Sequence, residues 1–327
     1  MKQLSEIRQE ISHLMRRMED ERLEKMGAYR KGLYYTFATL GLGIILILFG
    51  LQGQFALIII GGIVAILSLI VYYYMAQKPL NEFKQQFKST VLKQFVQLMY
   101  PNVNYEPKGF IKQTDFNRSQ LFSNSFNIYR GEDYFEGSIN NIRFELSELD
   151  VKRRKHRSNS NGSSTSTTTI FDGIFVVIAF DKATYAETYV LPDSAENMLG
   201  GFGKMIQKSL GSLFQRGTMI YLDEHPEFEK QFVVYSTDEQ ESMRILTPTL
   251  LESIYELRNT WNARPHLSFI DNTACVAIKT RKNFFKVKPH RSLVDDQKDI
   301  IQELFDEVAL VISIVESISE QGPIKER

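Results

Sequence analysis

The residues that come nearest to a chemical constellation lie at 223–229, where Asp223, Glu224, Glu227 and Glu229 surround His225. A carboxylate beside an imidazole can move a proton, so Asp223 and His225 are the acid/base candidates if the chain is an enzyme. The same run also reads as a helix start, with Pro226 at an early helical position and acids in the first turn. The other histidines, at 13, 156, 266 and 290, show no spacing that gathers two on one helical face, and HExxH is absent, so no metal site is expected. GGFGK at 200–204 fails the phosphate-loop template, because Met198 stands where the first glycine belongs and Met205 follows Lys204 where Ser or Thr belongs. No GxSxG motif occurs. No cofactor and no catalytic residue follow from these patterns, and a non-enzymatic role is the first expectation.

Charge clustering is the stronger signal. Three stretches are basic and free of acids: Lys152, Arg153, Arg154 and Lys155 with their neighbours; 202–216, with Lys204, Lys208 and Arg216; and 279–291, with Arg281, Lys282, Lys286 and Lys288 around Phe284 and Phe285. In the second, the cations oppose Phe202, Met205, Ile206, Leu210, Leu213 and Phe214, the pattern of a basic amphipathic helix in a bilayer interface. Each cation near an anionic leaflet contributes about 1 kcal/mol, so these residues are candidate contacts with a membrane or a partner protein. The ordinary alternative is a solvated loop in each case. With 39 basic and 39 acidic residues the chain has no net charge, and nucleic acid is not an expected partner.

The elements that must carry these residues begin with a membrane anchor. No Asp, Glu, Lys, Arg or His occurs from Gly32 to Gln77. Two runs, 33–51 and 55–75, each supply about 20 apolar residues, enough to cross a hydrocarbon core as helix. The link between them is Gln52, Gly53 and Gln54, so the helices must form an antiparallel hairpin. A cleaved signal peptide is excluded, because the first run starts too late and a second follows at once. Arg22, Lys25, Arg30 and Lys31 precede the hairpin and Lys78, Lys84 and Lys88 follow it, while the link is uncharged. The positive-inside rule then places both flanks in the cytoplasm of a multi-pass inner-membrane protein. Tyr34, Tyr35, Tyr72, Tyr73 and Tyr74 fit an aromatic belt on that side, and Gly41, Gly43, Gly61 and Gly62 suit close helix packing.

Residues 1–31 form a charged amphipathic helix, 32–77 the hairpin, 78–100 a stalk helix, 101–320 an α+β domain, and 321–327 a tail. Leu4, Ile7, Ile11, Leu14 and Met18 have the spacing of a coiled-coil seam, which raises homo-oligomerisation through residues 4–18; the alternative is a helix lying on the chain's own soluble part. In the domain, 134–139 and 142–149 alternate around Asn140-Asn141 as a hairpin, followed by strands at 170–180, 185–191, 232–235, 267–270, 273–278 and 284–287. Helices are expected at 195–214, 249–261 and 294–319. Mixed local strands and helices closed by a C-terminal helix indicate α+β, with a pleckstrin-homology-like barrel as the alternative. Residues 152–169, KRRKHRSNSNGSSTSTTT, have nothing to bury and are expected to be a disordered loop. Cys275, the one cysteine, lies in a strand-like run and is expected to be a small core residue.

GEDYFEG (131–137), IFDGIFVVIAF (170–180), YVLPD (189–193), HPEFEKQFVVYSTDEQE (225–241), RILTPTLLESIYELR (244–258) and LSFIDNTACVAI (267–278) resemble a bacterial family of membrane proteins known as a domain of unknown function. The resemblance covers most of 80–290 and implies a two-helix anchor plus a soluble domain. It implies no activity, ligand or catalytic residue.

Overall fold

A computed structural model describes residues 4–122, 124–159, 162–180, 184–193, 217–222, 225–280, 282–294 and 299–321. The chain divides into two compact units, Met1–Met99 with Phe285–Phe305, and Tyr100–Phe284 with Asp306–Arg327.

The first unit is helical. Helix α1 runs unbroken over Leu4–Gly50, so the charged helix expected at 1–31 and the first apolar span are one element. After the link, a second long helix covers Phe55–Met99. Its α-helical parts, α2 (Phe55–Val71), α3 (Lys78–Phe87) and α4 (Lys93–Met99), alternate with π-helical turns at Tyr72–Gln77 and Lys88–Leu92. The first π turn precedes Pro79, whose ring would meet the Met75 carbonyl in a regular α-helix; the wider turn accommodates it. The two helices pack through glycine. A Cβ on Gly43 would stand 2.9 Å from the Gly61 carbonyl, and one on Gly61 would stand 2.6 Å from the Gly43 carbonyl, whereas Gly41 and Gly62 face open space. Of the seam residues, Ile7, Ile11 and Met18 are buried, together with Met15, and α1 contacts α3 and α4. The chain itself thus covers this stripe.

The second unit is an α+β domain on one antiparallel sheet of nine strands. They are β1 (Val103–Glu106), β2 (Ile128–Ile139), β3 (Ile142–Asn159), β4 (Gly162–Ala179), β5 (Thr188–Pro192), β6 (Thr218–Ile220), β7 (Phe232–Ser236), β8 (Pro265–Ile270) and β9 (Thr273–Lys279). The order is β1-β2-β3-β4-β9-β8-β5-β7-β6. Among the described residues β1 and β6 are unpaired edges, so the sheet is open and the barrel alternative does not hold. Asn140 (φ 51°) and Asn141 (φ 65°) turn the β2–β3 hairpin, and Asp271 (φ 53°) opens the β8–β9 turn. β4 and β9 are central and buried on both faces: Phe171, Phe175, Cys275 and Ala277 face one core, and Ile174, Val176, Ile178, Val276 and Ile278 alternate with them.

Phe116, on α5 (Gln113–Arg118), closes the first core. Its ring lies 5.1 Å from Phe175 and 5.3 Å from Phe122. The other helices among the described residues are α6 (Pro226–Glu229), α7 (Glu239–Ile245), α8 (Pro248–Trp261) and α9 (Ile300–Gln321). Thr247 caps α8 by accepting from the Leu250 amide, and the helix stops at Asn262 in the left-handed region. Two expectations fail here. Residues 284–287 form no strand; Phe284 and Phe285 are buried, and Phe285 has φ 53°, outside the extended region. Residues 152–159 and 162–169 are paired strands rather than a disordered loop. The helix expected at 195–214 lies outside the described residues.

Candidate functional site: a basic β-ribbon

The β3–β4 pair outruns its neighbours. β2 follows β3 only to the pair Ile128 and Lys152, and β9 follows β4 only to Gly173 and Lys279. Beyond these points the strands continue as a two-stranded ribbon, closed by the pairing of Asn159 with Gly162. From Lys155 to Asn159 this adds about 16 Å at the usual rise of a strand. Asn127 extends the edge by one step, its side chain accepting from the Arg154 amide (2.8 Å) and donating to the Arg154 carbonyl (2.9 Å).

One strand of the ribbon is cationic and the other carries hydroxyls. Arg153, Arg154, Lys155 and His156 stand opposite Thr168, Thr167, Ser166 and Thr165. Paired with a neutral strand, the cations have no like charge directly opposite, and the threonines favour extended backbone. His156 shares a 2.8 Å hydrogen bond with Thr165. Lys152 is neutralised by Asp150 at 2.7 Å. Arg153 is half-buried, and its Nη1 reaches the Ser125 hydroxyl at 3.5 Å. Arg154 and Lys155 are exposed, without a carboxylate partner among the described residues. They share this state with Lys108, Lys112, Arg130, Arg143 and Arg264 of the same unit, but among its described residues only on the ribbon do two such cations follow one another in the chain.

The other basic candidates are dispersed. Lys282 already holds Glu307 (3.3 Å) and sits 4.6 Å above the Phe284 ring. Lys286 and Lys288 are exposed but belong to the helical unit, and both phenylalanines beside them are buried, so neither offers a hydrophobic contact to lipid. Lys204, Lys208, Arg216 and Arg281 lie outside the described residues, as does Asp223.

His225 precedes α6 and its carbonyl accepts from the Phe228 amide (3.0 Å), the helix start that the sequence suggests. It lines an open cleft of about 430 Å³ with Glu227, Glu252 and Tyr255, floored by Phe228 and Leu251. Glu229 is committed to the Leu222 amide (2.6 Å) and Glu227 to Lys230. No group of three His, Cys, Asp or Glu among the described residues is arranged for a metal. Cys275 is buried, which pushes its thiol up to about 12 and makes it a poor nucleophile.

Sequence reasoning missed a polar clamp in the helical unit. Arg22 Nε and Nη2 donate to Glu19 at 2.8 and 2.7 Å, and Nη1 donates to the Pro289 carbonyl at 2.9 Å. Glu19 also accepts from the Leu293 amide (2.8 Å) and the Ser292 hydroxyl (3.1 Å). Both side chains are nearly buried, and only their i, i+3 spacing signals the pair in the sequence.

Two helices long and apolar enough to cross a membrane, followed by an open-sheet α+β domain, define the class: an α+β protein with two candidate membrane spans. Residues 169–319, from the end of the ribbon into α9, match the model of a family described as "Protein of unknown function (DUF3137)". The match starts after GEDYFEG, the first of the segments that carry the resemblance. No curated protein matches the chain. Among solved structures, the crystal structure of the mycobacterial trehalose monomycolate transport factor A, TtfA, is similar over 68% of this chain and 91% of that one, at 8% identity and a TM-score of 0.32.

Proposed function

We propose that the chain is a non-enzymatic module that crosses the inner membrane twice, holds both termini in the cytoplasm, and uses its α+β domain to bind an anionic surface, either the inner leaflet or a partner protein. The observation that carries the anchor is the exposure of large apolar side chains along both spans. Phe37 is 67% exposed, Leu51 68%, Phe55 77% and Leu69 67%. A core helix would bury these residues; a continuous band of them calls for lipid. The ribbon, where Arg154 and Lys155 follow one another exposed and without a carboxylate partner among the described residues, supports an anionic partner.

Both parts are open to test in the full chain. A cysteine placed at the exposed Gln54 reports the link without interference, since Cys275 is buried. Labelling by an impermeant maleimide from outside intact cells is expected; labelling only in inverted vesicles would reverse the topology. A photocrosslinker at Lys155 is expected to trap anionic lipid or one defined protein in native membranes, with the yield falling on Arg154→Glu. Crosslinks to neither, with the protein folded and inserted, would remove the ribbon from the reading.

The cleft at His225 favours a second reading, an enzyme acting on a membrane-proximal substrate with Asp223 and His225 as acid and base. His225→Ala should then abolish the cellular phenotype at unchanged abundance; a retained phenotype excludes it.

A further inference from the structure

Segment 285–294 is distant from the anchor in sequence, yet the clamp fastens it to the stretch of α1 just before the apolar span. The Leu293 amide is held by Glu19, and the Pro289 carbonyl by Arg22. The His290 ring meets the Tyr29 ring edge-on at 5.5 Å. Tyr29 lies three residues before Gly32, where the charge-free span begins. Two residues of chain reach at most about 7 Å, so Lys288 comes close to the level of Tyr29, and Lys286 is tethered two residues further.

Other contacts fix what else lies at that level. A Cβ on Gly32 would fall 2.5 Å from the Met75 backbone, so the two long helices pass side by side there. Tyr34, Tyr35, Tyr73 and Tyr74 are exposed around this point, as interfacial aromatics are. Arg30 and Lys31 are exposed and carry no carboxylate partner among the described residues. Lys25 and Lys78 share the single carboxylate of Glu82, at 3.4 and 4.0 Å, and Arg291 is taken by Glu303 at 2.7 Å. Glu24 is the further acid exposed on this part of α1. The balance among exposed side chains is cationic.

We infer that Lys286 and Lys288 join Arg30 and Lys31 in a binding site for the phosphate headgroup of an anionic phospholipid at the base of the helical hairpin. Lysine ammonium groups bind phosphate as compact charges and Arg30 as a planar fork, while the tyrosine collar receives the upper acyl chain. The site uses residues other than those of the ribbon, and it rests only on the anchor part of the proposed function.

The test uses the full chain, purified in non-ionic detergent, stripped of lipid, and incubated with phosphatidylglycerol or phosphatidylcholine before bound lipid is counted by native mass spectrometry. Wild type is expected to retain phosphatidylglycerol over phosphatidylcholine. The pair Lys286→Gln and Lys288→Gln should weaken that retention roughly tenfold to thirtyfold, as the loss of two interfacial cations requires. Both side chains are exposed, so an unchanged melting curve is the expected control for folding. Inorganic phosphate at equal concentration should not displace the lipid; displacement would make the site a phosphate site instead. Retention of phosphatidylglycerol by the double variant at the wild-type level overturns the inference, as would its loss in Arg154→Gln, Lys155→Gln alone. Release of the wild-type protein from membranes by alkaline carbonate would instead defeat the anchor itself, a separately readable result.

Discussion

Arg22 and Glu19, one turn apart on α1, meet in two hydrogen bonds of 2.8 and 2.7 Å and leave neither group idle, because each also holds main chain from residues 289–293. Removing one partner strands the other in a largely buried setting. Arg22→Met is expected to cost about 3 kcal/mol and to free segment 285–294 for proteolysis, whereas Arg22→Met with Glu19→Leu should cost less than either single change. Limited proteolysis with thermal melts checks both. Burial alone would raise the Glu19 carboxyl, but Arg22, the Leu293 amide and the Ser292 hydroxyl outweigh it, so its pKa lies below the ordinary 4.5. Its contribution is complete above that value and disappears as pH falls through the lowered one.

A different acid window belongs to His266. Burial, aided by Lys279, pulls its imidazole from 6.5 to about 3. Between those values the unfolded chain takes up a proton that the folded chain refuses, so stability is full above 6.5 and declines as pH drops. From pH 7.5 to 5 the loss should be about 1–2 kcal/mol. His266→Phe, which can keep the 5.7 Å ring contact with Phe122, should flatten the melting temperature across that range. An unchanged slope would assign the acid sensitivity elsewhere.

In the spans, Gly43→Val or Gly61→Val should force the helices apart, since a Cβ at either site meets backbone within 3 Å. Overpacking of this kind costs about 1–3 kcal/mol. Gly41→Val and Gly62→Val, which meet nothing within 4 Å, should be neutral in the same detergent melt.

The hydroxyl of Tyr105, on edge strand β1, donates to Asp133, a buried residue at φ 58° in the bulge of β2. Tyr105→Phe removes that donor and should destabilise the domain by about 1–2 kcal/mol, measured by urea unfolding. Asp133→Asn, which tolerates the left-handed backbone, should be milder than Asp133→Val, which does not.

The two long apolar helices were legible because charge is excluded from 46 consecutive positions, Gly32 to Gln77, a signal that no tertiary context alters. The β2–β3 and β8–β9 hairpins were legible because Asn140-Asn141 and Asp271-Asn272 state their turns locally. The ribbon was not. Counting apolar residues over 152–169 finds nothing to bury, yet β3 and β4 are already locked in register from Arg143 to Val151, and extension adds hydrogen bonds at low further cost. The error at 284–287 had the opposite origin: aromatic residues chosen for a buried irregular segment looked like a strand. The clamp stayed hidden because its partners lie some 270 residues apart.

The strand order also sets a timetable for synthesis. β4 is the partner of β9, one hundred residues later, and the helical unit is incomplete without residues 285–305. The apolar spans leave the ribosome early and can enter the bilayer while the centre of the sheet still lacks a neighbour. Long-range pairing of this kind is slow and leaves apolar edges open in the meantime. On the proposed anchoring, a ribosome that stops near residue 280 would therefore release a chain fixed to the membrane but finished in neither unit. A quality-control protease working at the membrane would meet such a product with both of its folding units unclosed.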